Sequence, residues 1–378
     1  MTKSENRNPK LESNPNIRIS NFEFVSNFEF RVSSFVWLVT FFVAVVAHAS
    51  VDLSSNRATV IIVVGAPGEE EFGSNFVRQA SLWQKACEQA NLHQITIGER
   101  TAAVSEASRS NSEFPPSATN DYEELKQVLL LEPKDGSAEL YLLLIGHGTF
   151  DSKEARFNLR GPDVSATELA SWLLPFRRPL AVIDTSSSSA PFLNKLSATN
   201  RVIITATRSG NEQNFTRFGQ YFAEAITNPD ADLDKDGQVS LLEAFLIASR
   251  RTTEFYKVEG RIATEHALID DNGDGLGTQA DWFRGLRAVK APKERAAVDG
   301  TFAQQFHVVR SYAENRLTEE QRKKRDEIEH AVFRHRDKKG KIPDDQYYRD
   351  LEKMLLELAR LYETNSASAS PSPTANSN

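Results

Sequence analysis

The sequence predicts an α/β fold: a mostly parallel sheet with helices on both faces, then a helical region with two acidic loops, then a C-terminal helical hairpin. Three observations predict it. Short runs of continuous apolar residues (TVIIVV, YLLLI, LAVI, RVIIT) alternate with amphipathic stretches of helical period. Strands that are apolar on both faces belong to a parallel sheet covered by helices. Near residue 290 the composition shifts to long, charged, helix-forming segments.

In chain order, residues 58–68, ATVIIVVGAPG, form a buried strand that stops at a Gly/Pro turn. A helix follows over about 75–90, then a second strand, HQITIG. Residues 100–120 are rich in Ser and Pro and form a polar loop. A short helix at 121–131 leads into ELYLLLIGHG, an apolar run halted at the glycine-flanked His147. VSATELASWLL is helical, with Ser165 and Glu168 spaced as a capping box. PLAVID is the next strand and NRVIITATRSG the one after. From about 220 to 282 the pattern reads as helical around the acidic loops. LTEEQRKKRDEIEHAVFRHRDKKG opens on a Thr318/Gln321 capping box, and PDDQYYRDLEKMLLELARLYE sets Leu351, Leu355, Leu358 and Tyr362 on one helix face. KKGKIP between them is a stop and restart, which makes the pair an antiparallel hairpin. The last stretch, 364–378, is low-complexity and predicted disordered. The expected divisions are a leader at 1–49, an α/β domain at 50–229, the acidic-loop region at 230–289, the hairpin at 290–363 and the tail at 364–378.

At 378 residues, 40% hydrophobic and 26% charged, the chain has enough apolar material for one sizeable core or two smaller ones. The net charge of -7 and the lack of any basic stripe argue against nucleic acid as a partner. Cys87 is the only cysteine, so no intrachain disulfide forms; within SLWQKACEQAN it reads as a small buried apolar residue. At the N-terminus an apolar run, 35–47, follows Arg18 and Arg31 and closes on Ala47-His48-Ala49. That is the pattern of a secretory signal, with cleavage expected after Ala49 and a secreted or periplasmic mature chain. The run is short for a bilayer span, so no stable membrane span is expected after cleavage. The leader repeats SNFEF at Ser20 and Ser26.

In an open parallel sheet, chemistry collects at the carboxyl ends of the strands. Two strands here end in reactive groups: one delivers His147, the next Asp184-Thr185-Ser186. A histidine beside a nucleophile is the minimum apparatus for covalent acyl transfer, and glycines around it let backbone amides approach a substrate carbonyl. These motifs resemble the caspase and legumain-like clan of cysteine peptidases. Its members place His-Gly after one apolar strand and Asp/Gln-Ala-Cys, often with x-Ser-Gly, after the next. YLLLIGHG matches the first motif. LAVIDTSSSSAP keeps Asp184, puts Thr185 for Ala, and has Ser186 where the cysteine belongs. NRVIITATRSGNEQ looks like the strand and loop that follow, and the resemblance covers about 58–219. It implies a peptidase fold that has lost sulfur at the attacking position. A thiolate forms near neutral pH, whereas a serine hydroxyl needs a finely oriented base. The expectation is therefore a degenerate, inactive peptidase serving as a binding or scaffold module for a peptide or protein ligand. The alternative is an active hydrolase using Ser186 with His147 as general base. A third reading drops the peptidase link and makes the chain a calcium-stabilised interaction module whose hairpin recruits partners. A phosphate cradle is disfavoured because DTSSSSAPF has no glycine.

DLDKDGQVSLLE matches an EF-hand loop for Ca2+, a hard cation that takes about six to eight oxygens from fixed positions. Asp232, Asp234 and Asp236 fill the first three ligand positions, Gly237 makes the turn, Gln238 offers its carbonyl, Ser240 follows, and Glu243 is spaced for bidentate ligation. Pro229 departs from the family: it stops the incoming helix near Thr227 and gives a variant or dockerin-like entry. DDNGDGLGTQAD is a weaker second candidate, with Asp270, Asn272 and Asp274 in the ligand positions, Gly277 for the usual apolar residue and Asp281 for the usual glutamate.

Overall fold

The computed structural model describes residues 57–99, 120–291, 293 and 297–367. The expected leader with its apolar run and expected cleavage site, residues 100–119 and the residues beyond 367 lie outside the described residues. In chain order the α/β part comprises β1 (Thr59–Val64), α1 (Glu70–Ala90), β2 (His93–Ile97), α2 (Asp121–Leu131) and β3 (Leu140–Ile145). Then come β4 (Gly148–Phe150), β5 (Ala155–Phe157), β6 (Val164–Ser165), α3 (Ala166–Leu173), β7 (Leu180–Asp184), α4 (Ala190–Leu196) and β8 (Arg201–Thr205). They are followed by α5 (Phe218–Ala225), α6 (Leu241–Val258), β9 (Leu268–Asp270) and β10 (Thr278–Gln279).

The central sheet runs β10-β9-β8-β7-β3-β1-β2. β2, β1, β3, β7 and β8 are parallel, and β9 and β10 extend the β8 edge antiparallel. A small sheet, β4-β5-β6, branches off directly after His147. The strand pleat sends alternate side chains to opposite faces, and both faces are apolar here. Val60, Ile62, Leu143, Ile183 and Ile204 meet α1, α5 and α6, while Ile61, Val63, Leu142, Val182 and Ile203 meet α2, α3 and α4. Phe218, Phe222 and Phe245 are fully buried in the first layer, each worth roughly 2 kcal/mol or more of burial. The α/β architecture expected from the sequence is therefore present, with helices on both faces of a mostly parallel sheet.

Three boundaries differ from expectation. α1 begins at Glu70, before the first apolar repeat, because Glu70 and Glu71 complement the positive end of the helix dipole. The helical pattern expected through 282 ends at Val258, where Gly260 takes φ +62 just past the cap. Leu268–Asp270 and Thr278–Gln279 are paired strands on the sheet edge, so the second acidic loop is a hairpin loop and not a link between helices. Short runs such as LID carry too few residues for the strand period to show in sequence. Downstream lie a two-stranded ribbon, β11 (Phe283–Arg284) with β12 (Arg287–Ala288), and a one-turn α7 (Tyr312–Asn315).

α8 (Glu319–Arg336), opened by the Thr318/Gln321 capping box, and α9 (Asp344–Ala367) form the hairpin. Lys324 pairs with Glu357 at 3.0 Å and His335 stacks on Tyr347 at 4.7 Å, the crossed order of an antiparallel pair. α9 runs through Ala367, four residues into the expected tail. Of the expected apolar stripe, Leu351, Leu358 and Tyr362 are half-buried and Leu355 is exposed. Among the described residues no helix is long and apolar enough to cross a membrane.

At the amino ends of the strands, Arg178 is buried and donates to Glu132 Oε1 at 2.8 Å and to the Ala138 and Glu139 carbonyls at 2.7 and 3.1 Å. Removing one member of such a pair strands the other charge in low dielectric. Arg178→Met should cost about 3 kcal/mol in urea unfolding, and adding Glu132→Leu should recover most of it.

Candidate functional site

β3 and β7 are register neighbours, with Leu144 opposite Asp184, so both chains leave the sheet at the same carboxyl end. The two turns they feed are bonded together. Gly148 N–H donates to Ser187 Oγ at 3.1 Å, and that hydroxyl donates to the Gly148 carbonyl at 3.0 Å. Glycine is required there, because a Cβ on residue 148 would lie 2.2 Å from the Ser187 carbonyl oxygen and 2.9 Å from Ser186 Oγ.

The motifs meet, but among the described residues no hydrogen bond joins His147 to Ser186. The Ser186 hydroxyl donates to Asp184 Oδ1 at 2.6 Å, the Ser186 N–H donates to the same oxygen at 3.0 Å, and the residue is 0% exposed. This is an Asx turn, closed by a carboxylate two residues upstream. His147 Nε2 lies 3.2 Å from the Pro67 carbonyl, an acceptor, so that nitrogen carries the proton. Phe72, Phe76 and Phe215 enclose the ring edge-on at 4.9, 5.1 and 6.4 Å between centroids. Burial lowers the imidazole's pKa, against smaller opposing effects of the Pro67 carbonyl and Glu69.

The four serines are all buried and serve the turn into α4. Ser188 N–H donates to the Glu212 carbonyl at 2.8 Å, and Ser189 Oγ lies 3.1 Å from Thr207 Oγ1 and accepts the Thr207 N–H at 3.2 Å. Ser188 holds φ +55, and its Oγ has no hydrogen-bond partner. Nothing here rings an anion. Beneath the turn, Asp184 is 0% exposed with Oδ2 unpartnered, and burial pushes its pKa up to about 7 against the opposing hydrogen bonds from Ser186.

Several residues that shape this site escaped the sequence reading. Glu212 ties the loop after β8 to the segment before β9 through His266 Nδ1 at 2.6 Å. Glu265 accepts the Arg217 and Phe218 amides at 2.9 and 3.0 Å, capping α5 from a distant loop. Phe72 and Phe76 stand four apart on the first turns of α1, a spacing visible in sequence that marks a shared face.

In the first acidic loop, Asp232, Asp234 and Asp236 bring one carboxylate oxygen each within 4.8 Å of one another. α5 stops at Ala225 and Asn228 is extended before Pro229, as the proline requires. Asp232 accepts the Lys235 and Gly237 amides at 2.6 and 3.0 Å, and Gly237 takes φ +89. Glu243 faces the loop from α6, its Oε1 accepting the Leu233 and Asp234 amides and its Oε2 the Ser240 amide and hydroxyl. Gln238 Nε2 reaches Asp236, and its Oε1 accepts the Ser311 amide at 3.1 Å. Burial, then repulsion from Asp234 and Asp232, pushes Asp236 up to about 6; burial also raises Asp234 and Glu243. A hard all-oxygen donor set carrying more charge than its surroundings support fits a calcium ion.

The second loop fits less well. Asp270 accepts the Gly273 and Gly275 amides at 3.0 Å, as Asp232 accepts its own pair, and Asn272 and Asp274 close short turns, so the difference between the loops lies at their far ends. Asp281, in the turn after β10, does not gather with Asp270 and Asp274 as Asp236 does with its neighbours. The reason is topological: a β-hairpin carries the chain onward where an EF-hand would turn back through a helix. Asp271, unassigned in sequence, is the structural anchor, accepting the Gly300, Phe302 and Ala303 amides at 2.9, 2.7 and 2.7 Å.

No family model and no curated relative matches the chain. Among solved structures it is similar to the Drosophila initiator caspase Dronc, at 12% identity and a TM-score of 0.34 over 57% of this chain and 79% of that one. It is also similar to caspase-1 from Spodoptera frugiperda, at 9% identity and a TM-score of 0.33 over 57% and 87%.

Asp184 binds its proton more tightly folded than unfolded, so its contribution to stability is complete at low pH and is lost as pH rises from about 4 to about 7. Asp184→Asn keeps the acceptor for Ser186 without that loss. Relative to wild type it should gain stability steadily across this window, by up to about 4 kcal/mol, read from urea midpoints at each pH.

Proposed function

We propose that this chain is an exported, calcium-stabilised domain with a caspase/legumain-like arrangement of strands and no peptidase activity, serving as a binding or scaffold module. One observation carries the inactive reading: Ser186 is shut from solvent with its hydroxyl given to Asp184, while the His147 imidazole is bonded to Pro67. A serine nucleophile needs a base that takes its proton and a path for the acyl group. Asp184 is a poor substitute for that base, because burial favours its neutral form.

Calcium supplies charge compensation in this reading. Asp232, Asp234, Asp236, the Gln238 carbonyl, Ser240 and Glu243 would hold the ion, and Asp270, Asn272, Asp274 and Asp281 would hold a second, weaker one. The first loop is bonded through Asp234 to Gln304 and through Gln238 to Ser311, so an ion there would brace the segment that leads into the hairpin. In a calcium-rich extracellular setting even a weak site fills, which favours a structural staple over a sensor.

Two measurements test this. A fluorophosphonate acyl probe should label wild type no more than Ser186→Ala, and neither should cleave a broad peptide library; labelling that Ser186→Ala abolishes would restore the hydrolase reading. Calcium at a hundredfold excess over its Kd should stabilise the protein by about 3 kcal/mol and chelation should reverse the gain. Asp234→Asn/Asp236→Asn should melt at the same temperature with and without chelator. An unchanged wild-type melt would remove calcium from the account.

A further inference from the structure

The sequence holds no continuous basic stripe, yet the fold assembles a basic patch from two separate segments. α8 ends with Arg334 and Arg336, and the turn into α9 adds Lys338, Lys339 and Lys341, all exposed. The β11–β12 ribbon lies against this turn through the ion pair of Arg287 with Asp337. Arg284 stands directly opposite Arg287 in the ribbon register, and exposed Lys290 follows. Among the described residues of the two segments, Asp337 is the carboxylate set against these cations. Asp345 beyond the turn is held by Arg349 at 2.8 Å, and Asp344 sits in the first turn of α9, where the helix dipole favours it.

Ordinary helix chemistry accounts for only part of this. Cations in the last turn of α8 complement its dipole, which explains Arg334 and Arg336. Lys338, Lys339 and Lys341 lie past the helix end. Arg284 and Arg287 face each other across a ladder, where like charges destabilise. On a chain of net charge -7, so many cations in one patch focus a local positive potential. Apolar groups border it in water: Tyr348 is 53% exposed with the Lys339 ammonium 5.9 Å from its ring centroid, and Val289 is 48% exposed.

We propose that this patch docks on the surface of an anionic lipid bilayer. Clustered Lys and Arg on flexible stems meet headgroup phosphates and carboxylates without fixed geometry, and tyrosine favours the boundary between headgroups and acyl chains. A nucleic-acid duplex would ask for side chains set to enter a groove and would leave Val289 and Tyr348 without a role. The docking is independent of catalysis and of the acidic loops.

The test is co-sedimentation of the full chain with phosphatidylcholine vesicles, with and without phosphatidylserine. The N-terminal apolar run would engage both kinds, so the readout is the ratio between them. Wild type should favour the anionic vesicles, less so at high salt, and Lys338→Glu/Lys339→Glu/Lys341→Glu should cut that preference at least about tenfold. The milder Lys338→Gln/Lys339→Gln/Lys341→Gln should fall in the same direction with its melting temperature unchanged. Lys126→Glu/Lys257→Glu/Lys353→Glu alters net charge equally at exposed sites elsewhere and should lose about twofold or less. Equal binding to both vesicle types, equal losses in the two Glu triples, or tighter binding to duplex DNA than to vesicles would each overturn the proposal.

Discussion

The hydrogen bond from Ser186 to Asp184, 2.6 Å long and sealed from solvent, sets the state of the whole carboxyl end of the sheet. It closes the turn after β7, and that turn then bonds to Gly148, whose lack of a side chain allows the contact. His147 leaves the same edge of the sheet but points into a box of three phenylalanines. Each arrangement gives a buried polar group a local partner, and together they leave the Ser186 hydroxyl and the His147 imidazole bonded to different groups. The bond that closes the turn is the one that engages the Ser186 hydroxyl.

Much of the fold was legible because it rests on local patterns. Apolar strands such as TVIIVV and LYLLLI can only be buried on both faces, and the Ser165/Glu168 and Thr318/Gln321 boxes mark helix starts by short-range bonds. The site was legible as an address and not as a geometry. Strand order placed His147 and Ser186 at one end of the sheet, but which partner each would take depended on Pro67 and on Asp184 losing contact with water. Glu212, Glu265 and Asp271 were invisible for a related reason: each is an acid whose partners are backbone amides or groups far along the chain. Nothing in a carboxylate's neighbours announces which distant N–H it will accept.

The two acidic loops show how far a motif reaches. Both satisfy the spacing rule at their first three positions. In the first loop the chain runs on into α6, whose first turn brings Glu243 back onto the loop's Leu233 and Asp234 amides. In the second it runs along the sheet edge, and Asp281 does not gather with Asp270 and Asp274. Ligand spacing along the chain becomes ligand spacing in space only when the flanking elements bend it back.

The contacts from the first loop to Gln304 and Ser311 span 70 and 73 residues. A ribosome releases the loop long before it releases the residues that grip it. Final docking of that loop is therefore a late event in assembly, and until then its aspartates are open to solvent and to whatever ion the compartment provides first.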